Sequence, residues 1–482
     1  MILLDATISS IKTIKGCLNG YLYTYLLDKI NLLKSITKKK IISANTMCRF
    51  LIYKGVEPIR LSNLLTKPQH SIINQSYDSR LRLDRTGPIN GDGFELAYYP
   101  TEETLDIPTK KYYDKGSYDL TSEDHSDSES LCSENIDREV EREEQEVGPS
   151  VFKAITPAWN NENLRILAER TKSKLMFAHV RASTYGVLSE TNCHPFNYHS
   201  ITFMHNGGVA NFKKVRRRFL NELNDEFFNI VQGSTDSECC FALFVHILHS
   251  YGYDPSRSKG KFGSKILRKV MNETISRIKY WTKEANKIVA EEKFKLANDP
   301  GFRKKLSFTK IKEIQDSKEE PSMLNFAVTD GESIIVSRYI SSKVDEAPSL
   351  YFSCGSDFVE RKKGVFNMHR VDKKNKMVLV SSEPITFERN DWTAIPTNSL
   401  LTILKDQTIL LHPIIDEYYQ KNPLFIRDSG FSTRKGQMGY IPKDDIVNAD
   451  GKVIKDNSAG MINYSKYPPI RTLDSERRDH LI

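Results

Sequence analysis

The apolar residues of this chain fall into short runs toward its two ends and into helical steps between them. That arrangement narrows the folds open to it. Arg49–Tyr53 is a brief, partly β-branched run closed by Gly55; Leu175–Val180 is another, and Ile201–His205 a third, halted by Asn206-Gly207-Gly208. Runs of this length bounded by turn residues read as buried strands. Residues 211–223 and 236–250 predict helices, the second with Phe241, Phe244, Val245 and Leu248 at three- and four-residue steps. A longer amphipathic pattern over 264–297 turns Leu267, Val270, Met271, Ile275, Ile278, Trp281, Ala285, Ile288 and Val289 inward. Leu324–Val328, the turn Asp330-Gly331 and Ser333–Tyr339 then read as a hairpin, and Leu350–Phe352 and Met377–Val380 as further strands. Strands on either side of a helical block predict a layered α+β domain with mostly antiparallel sheets.

Charge sets the boundaries of that domain. The 482 residues carry a formal net charge of +8, but 16 acidic and 5 basic side chains lie within 102–147, so the remainder is strongly basic. So dense an acidic tract cannot repay the entropy of ordering, and residues 102–150 are expected to be a disordered insertion. Residues 1–47 are rich in Ile, Leu and Lys. Asp5, Asp28 and interspersed lysines break every apolar stretch, which argues against a signal peptide and for an extension or pro-segment outside the fold. The folded domain is expected over 48–430, followed by a polar, loosely held tail over 431–482. No apolar run approaches the ~18–20 residues that span a bilayer, which argues against an integral membrane protein. Seven cysteines without a CxxC pair give neither a disulfide scaffold nor a zinc knot, so a reducing, cytoplasmic setting is expected. The run Lys213-Lys214-Val215-Arg216-Arg217-Arg218 reads as the solvated face of a helix with Val215 and Phe219 inward, and no nucleic-acid partner is expected.

Four places carry side chains suited to chemistry. Cys48 follows Met47; if translation began at Met47, methionine removal would leave the thiol beside a free α-amine with a pKa near ~8, able to act as its base. His179-Val180-Arg181-Ala182-Ser183-Thr184-Tyr185-Gly186 ends a strand in an arginine whose planar fork suits a carboxylate. Met204-His205-Asn206-Gly207-Gly208 offers an amide side chain and backbone N–H groups, the parts of an oxyanion hole. Gly233-Ser234-Thr235-Asp236-Ser237-Glu238 sets an acid at the head of a helix, where it could accept an ammonium. Each has a plainer reading: Asp236 as an N-cap, Asn206-Gly207 as a turn, Arg181 as an ion-pair partner. His179, His194, His205 and His246 match no zinc spacing, and the strand histidines among them read as satisfied core residues in preference to partners in a Cys–His dyad.

Taken together, Met47-Cys48-Arg49-Phe50, the HVRAST-G series at 179–186, HNGG at 205–208 and STDSE at 234–238 resemble the class II glutamine amidotransferases. The likeness is greatest to the branch that includes the amidotransferase subunit of the fungal glutathione-degradation complex, and it covers about residues 47–430. The resemblance implies an N-terminal-nucleophile (Ntn) hydrolase αββα four-layer sandwich. It implies Cys48 as nucleophile and, through its α-amine, base. Asn206 and Gly207 would form the oxyanion hole, Arg181 with Thr184 would hold the substrate α-carboxylate, and Asp236 its α-ammonium. It implies hydrolysis of a γ-glutamyl amide, glutathione being cleaved to glutamate and cysteinylglycine, with neither metal nor cofactor in this chain and a zinc metallopeptidase-like partner subunit. A glutaminase or a hydrolase of another γ-glutamyl compound is the alternative, and a catalytically silent scaffold of the same fold a third. Ala182 and Tyr185 stand where many members have tryptophan and histidine, which alters the pocket wall.

Overall fold

The structure, a computed structural model, describes residues 48–81, 90–100, 148–182, 188–256, 261–298, 319–372, 374–422 and 425–439. The expectations for residues 1–47 and 440–482, for the acidic tract before Gly148, and for Thr184 and Tyr185 fall outside these residues. The strands are β1 (Arg49–Arg60), β2 (Phe94–Tyr98), β3 (Ser150–Ala154), β4 (Lys172–Val180), β5 (Phe196–Tyr198), β6 (Ile201–Gly208), β7 (Met323–Thr329), β8 (Ile334–Arg338), β9 (Tyr351–Gly355), β10 (Asp357–Lys362), β11 (Val365–His369), β12 (Met377–Ser381), β13 (Thr393–Ala394), β14 (Ser399–Ile403) and β15 (Ile409–Pro413). The helices are α1 (Ser62–Leu65), α2 (Ile72–Gln75), α3 (Glu162–Arg170), α4 (Phe212–Glu222), α5 (Asp225–Phe228), α6 (Asp236–Ser250), α7 (Ser264–Asn298) and α8 (Gly430–Arg434).

Two antiparallel sheets form the centre. One has seven strands in the order β13-β9-β12-β1-β4-β2-β3, the other six in the order β15-β14-β8-β7-β6-β5. Side chains alternate across a strand, and the alternation sorts the core into three layers. Phe50, Ile52, Phe177 and Val380 of the first sheet pack with Met204, Ala327, Val336 and Leu401 of the second. Leu51, Tyr53, Met176 and Ala178 point the other way, onto Leu64, Ile72 and Leu164 of α1, α2 and α3. On the far side Phe203, Phe326 and Ile335 meet Val215, Phe244 and Val270 of α4, α6 and α7. The order is therefore helices, sheet, sheet, helices: the αββα sandwich. Strands covered on both faces read as continuous apolar runs, which is why Arg49–Tyr53 shows no alternation in sequence. Phe50 to Tyr53 are fully buried, about 6–12 kcal/mol of transfer free energy at ~1.5–3 kcal/mol each.

Three boundaries differ from expectation. β1 runs through Gly55 to Arg60, with a register shift against β4 between Lys54 and Ile59. β6 does not stop at Asn206; Asn206, Gly207 and Gly208 pair with Asn325, Leu324 and Met323. A Cβ on Gly207 would stand 1.9 Å from Met323 O, so this close ladder admits only glycine there. On α7 the buried face is interrupted after Ala285: Ile288 is exposed, and Ala297 is buried again.

The first residues of the expected tail, 431–439, are held down. Residues 430–439 form α8 and a strap whose Ser432, Gln437 and Met438 are buried. Ser349 N donates to Gln437 O at 2.9 Å, Gly439 N to Ser349 Oγ at 2.9 Å, and Tyr351 Oη to Gly439 O at 2.8 Å. Polar bonds, more than apolar area, hold this segment down, so hydrophobic periodicity gives no sign of it.

Candidate active site

Strand alternation gathers the first group of side chains. Cys48 lies on the same face of its strand as Phe50 and Ile52, His179 and Arg181 on that of Phe177, and Glu95 on that of Ala97, all toward the facing sheet. Phe50 lies opposite His179, and His179 opposite Glu95 on its other side. Arg49 pairs with Val180, and the same register sets Cys48 across from Arg181.

The thiol of Cys48 is half-buried, with Sγ 3.7 Å from Ala182 O. Burial opposes its ionisation, yet the charge of His179 and, more weakly, that of Arg181 bring its pKa below the ordinary thiol value. Arg181 is buried and lies with Nη1 4.0 Å from Cys193 Sγ. The Cys193 thiol is pushed up, first by burial and then by the charge of Glu95, and stays a thiol.

Asn206 comes from the facing sheet. Its Nδ2 donates to Ser382 Oγ at 3.1 Å, and the same oxygen accepts Phe50 N at 3.1 Å. Ser382 N donates back to Phe50 O at 3.1 Å. The amide is thus fixed, through one serine, to β1, whose first residue follows Cys48, and this bond leaves its second N–H able to donate elsewhere. Its Oδ1 accepts from Gln437 Nε2 at 2.9 Å.

Asp236 belongs to the same end through Val209, whose N–H donates to Oδ2 at 2.7 Å, while Ser237 N donates to Oδ1 at 2.9 Å. It is not the helix cap: Thr235 Oγ1 accepts from Glu238 N at 3.3 Å, and Asp236 is the first residue of α6. The half-buried carboxylate keeps lone pairs for a cation. Buried Glu238 fixes the preceding turn, accepting from Gln232 N and Gly233 N at 2.9 and 2.7 Å. His205 faces away from Cys48, bonded to Ser237 Oγ at 2.9 Å and Met323 O at 3.0 Å. It is the satisfied core histidine that its strand position implies.

On the opposite face of β1, Arg49 is paired with Glu383 (Nε to Oε1, 2.5 Å) and donates from Nη2 to Gly436 O at 3.3 Å. The basic run on α4 is exposed, and Lys214 and Arg218 pair with Glu292 and Glu284 of α7. Among the described residues no three His, Cys, Asp or Glu side chains are grouped so as to hold a metal ion, and no helix is long and apolar enough to cross a membrane.

The structure therefore brings Cys48, Arg181 and Asn206 to one end of the layer between the sheets and joins Asp236 to the loop after β6. Sequence reasoning missed Ser382, Gln437 and Glu95. Glu95 was the legible one: a lone acid in the apolar strand FELAY, buried on both faces, requires a partner.

Residues 142–279 match the model of the family described as glutamine amidotransferases class-II. The chain is 55% identical over 396 residues to the "Probable glutamine amidotransferase DUG3" of Saccharomyces cerevisiae, covering 82% of this chain and 92% of the yeast protein. A shorter likeness, 30% over 79 residues, links it to a glutamine–fructose-6-phosphate aminotransferase (isomerizing) of Xylella fastidiosa, over 16% of this chain and 12% of that one. Among solved structures, a glutamine aminotransferase class-II domain protein from Silicibacter pomeroyi aligns with a TM-score of 0.38 at 20% identity, covering 77% of this chain and all of that one.

Proposed function

Since this chain belongs to the class II glutamine amidotransferases, an amidohydrolase family, we propose that it hydrolyses a γ-glutamyl amide with Cys48 as nucleophile and glutathione as substrate. The observation that supports this most is the bonding of Asn206 through Ser382 to the backbone of Phe50. It ties an amide donor to the strand of a low-pKa thiol beside a buried arginine.

In this reading Cys48 Sγ attacks the γ-carbonyl carbon. The new C–S bond pushes the carbonyl pair onto oxygen, where Asn206 Nδ2 and the Gly207 N–H meet it. Collapse breaks the C–N bond, the leaving amine takes a proton, and water then cleaves the thioester to glutamate and the free thiol. Arg181, with Thr184, holds the α-carboxylate and Asp236 the α-ammonium, a clamp that glutathione and glutamine would share. The site works as one subunit of a complex with a zinc metallopeptidase-like partner that would take up the cysteinylglycine. Free thiols such as Cys48 and Cys193 suit the cytoplasm.

The test is steady-state kinetics of the chain alone and in its complex with glutathione, glutamine and γ-glutamyl anilide. Cysteinylglycine release with kcat/KM well above that for glutamine is expected. Ammonia release from glutamine in its place would make the protein a glutaminase, and no turnover of any of the three would leave a silent scaffold.

A further inference from the structure

The two charges of the head-group clamp come from different parts of the fold, Arg181 just past the end of β4 and Asp236 at the start of α6. One short segment touches both sides. It is a single 3₁₀ turn over Glu190–Asn192 ahead of β5, closed by Asn192 N to Ser189 O at 3.1 Å and Cys193 N to Glu190 O at 3.0 Å. On one side Cys193 Sγ lies 4.0 Å from Arg181 Nη1 and donates to Ser189 O at 3.3 Å. On the other, buried Asn192 reaches the turn before α6, where its Oδ1 accepts Ser234 N at 2.9 Å. The approach is so close that a Cβ on Gly233 would stand 2.2 Å from Oδ1.

We propose that Asn192 is a positioning residue that sets Asp236 against Arg181, so that the site selects a head group carrying both an α-ammonium and an α-carboxylate. This rests on the reading of Arg181 and Asp236 as the clamp. Three successive N–H groups of the turn end on two buried side chains: Gln232 N and Gly233 N on Glu238, Ser234 N on Asn192. Thr235 then caps α6, and Asp236 follows directly with Oδ2 on Val209 N. Glu238 belongs to α6 and moves with it. Asn192 belongs to the segment that also meets Arg181, so its bond fixes the start of the helix relative to the other half of the clamp.

The physical reason is the sensitivity of a paired charge to distance. Replacing Asn192 by alanine strands Ser234 N–H without its acceptor, and a half-buried donor of this kind draws the turn toward water. Asp236 is two residues on, so it shifts with the turn, and a displacement of about 1 Å in a positioned group is enough to cost about 100-fold. The loss falls on the ammonium contact, because Arg181 is held from the other side of the segment. Asn192 thus acts through Asp236 and not on the reacting atoms.

The experiment compares kcat/KM of the full chain on γ-glutamyl anilide, on glutaryl anilide, which lacks the ammonium, and on 4-aminobutyryl anilide, which lacks the carboxylate. Ratios among the three do not depend on the fraction of folded enzyme, so a merely structural role would leave them unmoved. Asn192→Ala should lower the preference for γ-glutamyl over glutaryl by about tenfold or more and hold the preference over 4-aminobutyryl within about threefold. In an Asp236→Ala background it should change neither ratio. A folded Asn192→Ala chain with wild-type preferences overturns the proposal. If that variant does not fold, hydrogen exchange of the Ser234 amide in wild type decides. Saturating glutamate should slow it by about threefold or more and saturating glutarate should not, because binding and the bond support each other; equal exchange with the two overturns the proposal. The proposed function fails separately. If wild type turns over none of the anilides, protection of Cys48 from iodoacetamide by glutamate over glutarate reads the same preference. Its loss in Asn192→Ala would sink the substrate and leave the positioning role standing, whereas a wild type with no preference would remove the clamp and this proposal with it.

Discussion

Gln437 Nε2 donates a 2.9 Å hydrogen bond to Asn206 Oδ1, joining positions 231 residues apart. With Oδ1 occupied in this way and Nδ2 bonded to Ser382, the amide cannot turn over, and its free N–H keeps one direction. Losing one such buried bond costs ~1–3 kcal/mol, or about 5- to 150-fold. Gln437→Ala is therefore expected to lower kcat by that range with KM within about twofold. A fall in KM-type binding with kcat unchanged would show that Gln437 serves the pocket and not the oxyanion. A chain ending at residue 439 should retain wild-type turnover, and one ending at 429 should lose it.

The head-group clamp makes a sharper demand. Arg181→Ala and Asp236→Ala each leave one substrate charge unpaired, at ~2–5 kcal/mol or about 30- to 4,000-fold in kcat/KM. Arg181→Lys should be nearly as damaging, because an ammonium cannot supply the bidentate fork. Efficiency within threefold of wild type on glutathione, glutamine and γ-glutamyl anilide for both alanine variants would remove the clamp.

Stability should depend on pH through the buried histidines, in opposite senses. Burial holds His70, His194 and His205 below their ordinary value. The unfolded chain takes up these protons below about pH 6.5 and the folded chain does not, so stability falls as pH drops through that window, by up to ~1.4 kcal/mol per unit and group. His179, raised to about 9, contributes stability that is present below pH 6.5 and lost as pH rises through 9. Urea midpoints at pH 7.5 and 5.5 should differ clearly, and His194→Phe, which removes two unbonded nitrogens, should recover part of the loss. Equal midpoints in wild type would contradict this assignment.

Tyr98 of β2 and Ser150 of β3 are paired neighbours in a ladder, so the acidic tract connects two strands that lie side by side. If the tract is disordered, as its composition predicts, replacing residues 101–147 by a turn of about five residues shortens the connection roughly tenfold, which lowers the closure entropy by ~2 kcal/mol. Thermal stability should hold or rise and hydrolysis should persist. A drop in soluble protein or Tm would show that the tract packs.

How much of this was legible follows from what holds each part. β1, β4, β6, α6 and α7 are held by apolar side chains, and their periodicity locates them in the sequence. Cys48, Arg181, Asn206 and Asp236 stand out in the sequence because each sits at or near a strand or helix end within a recognisable series. Gln437 was not, because it is buried in an irregular segment by hydrogen bonds, and polar residues near glycine look alike whether buried or solvated. His179 was identified as a core residue, which it is. Its link to Glu95 depends on register between strands separated by 84 positions, and no local pattern encodes that.

β1 lies in the middle of its sheet, between β4 and β12, and Phe50 waits for Ser382, 332 residues later. During synthesis the central strand is therefore made early and completed late. Until the ribosome has passed residue 382, β1 exposes an unpaired edge of apolar residues, and until it has passed Gln437 the Asn206 amide lacks one of its two anchors. Contacts this distant fold slowly, so a stalled or prematurely terminated chain would present an aggregation-prone strand. The hazard belongs to the chain while it is being made; in the finished sandwich β1 is paired on both sides.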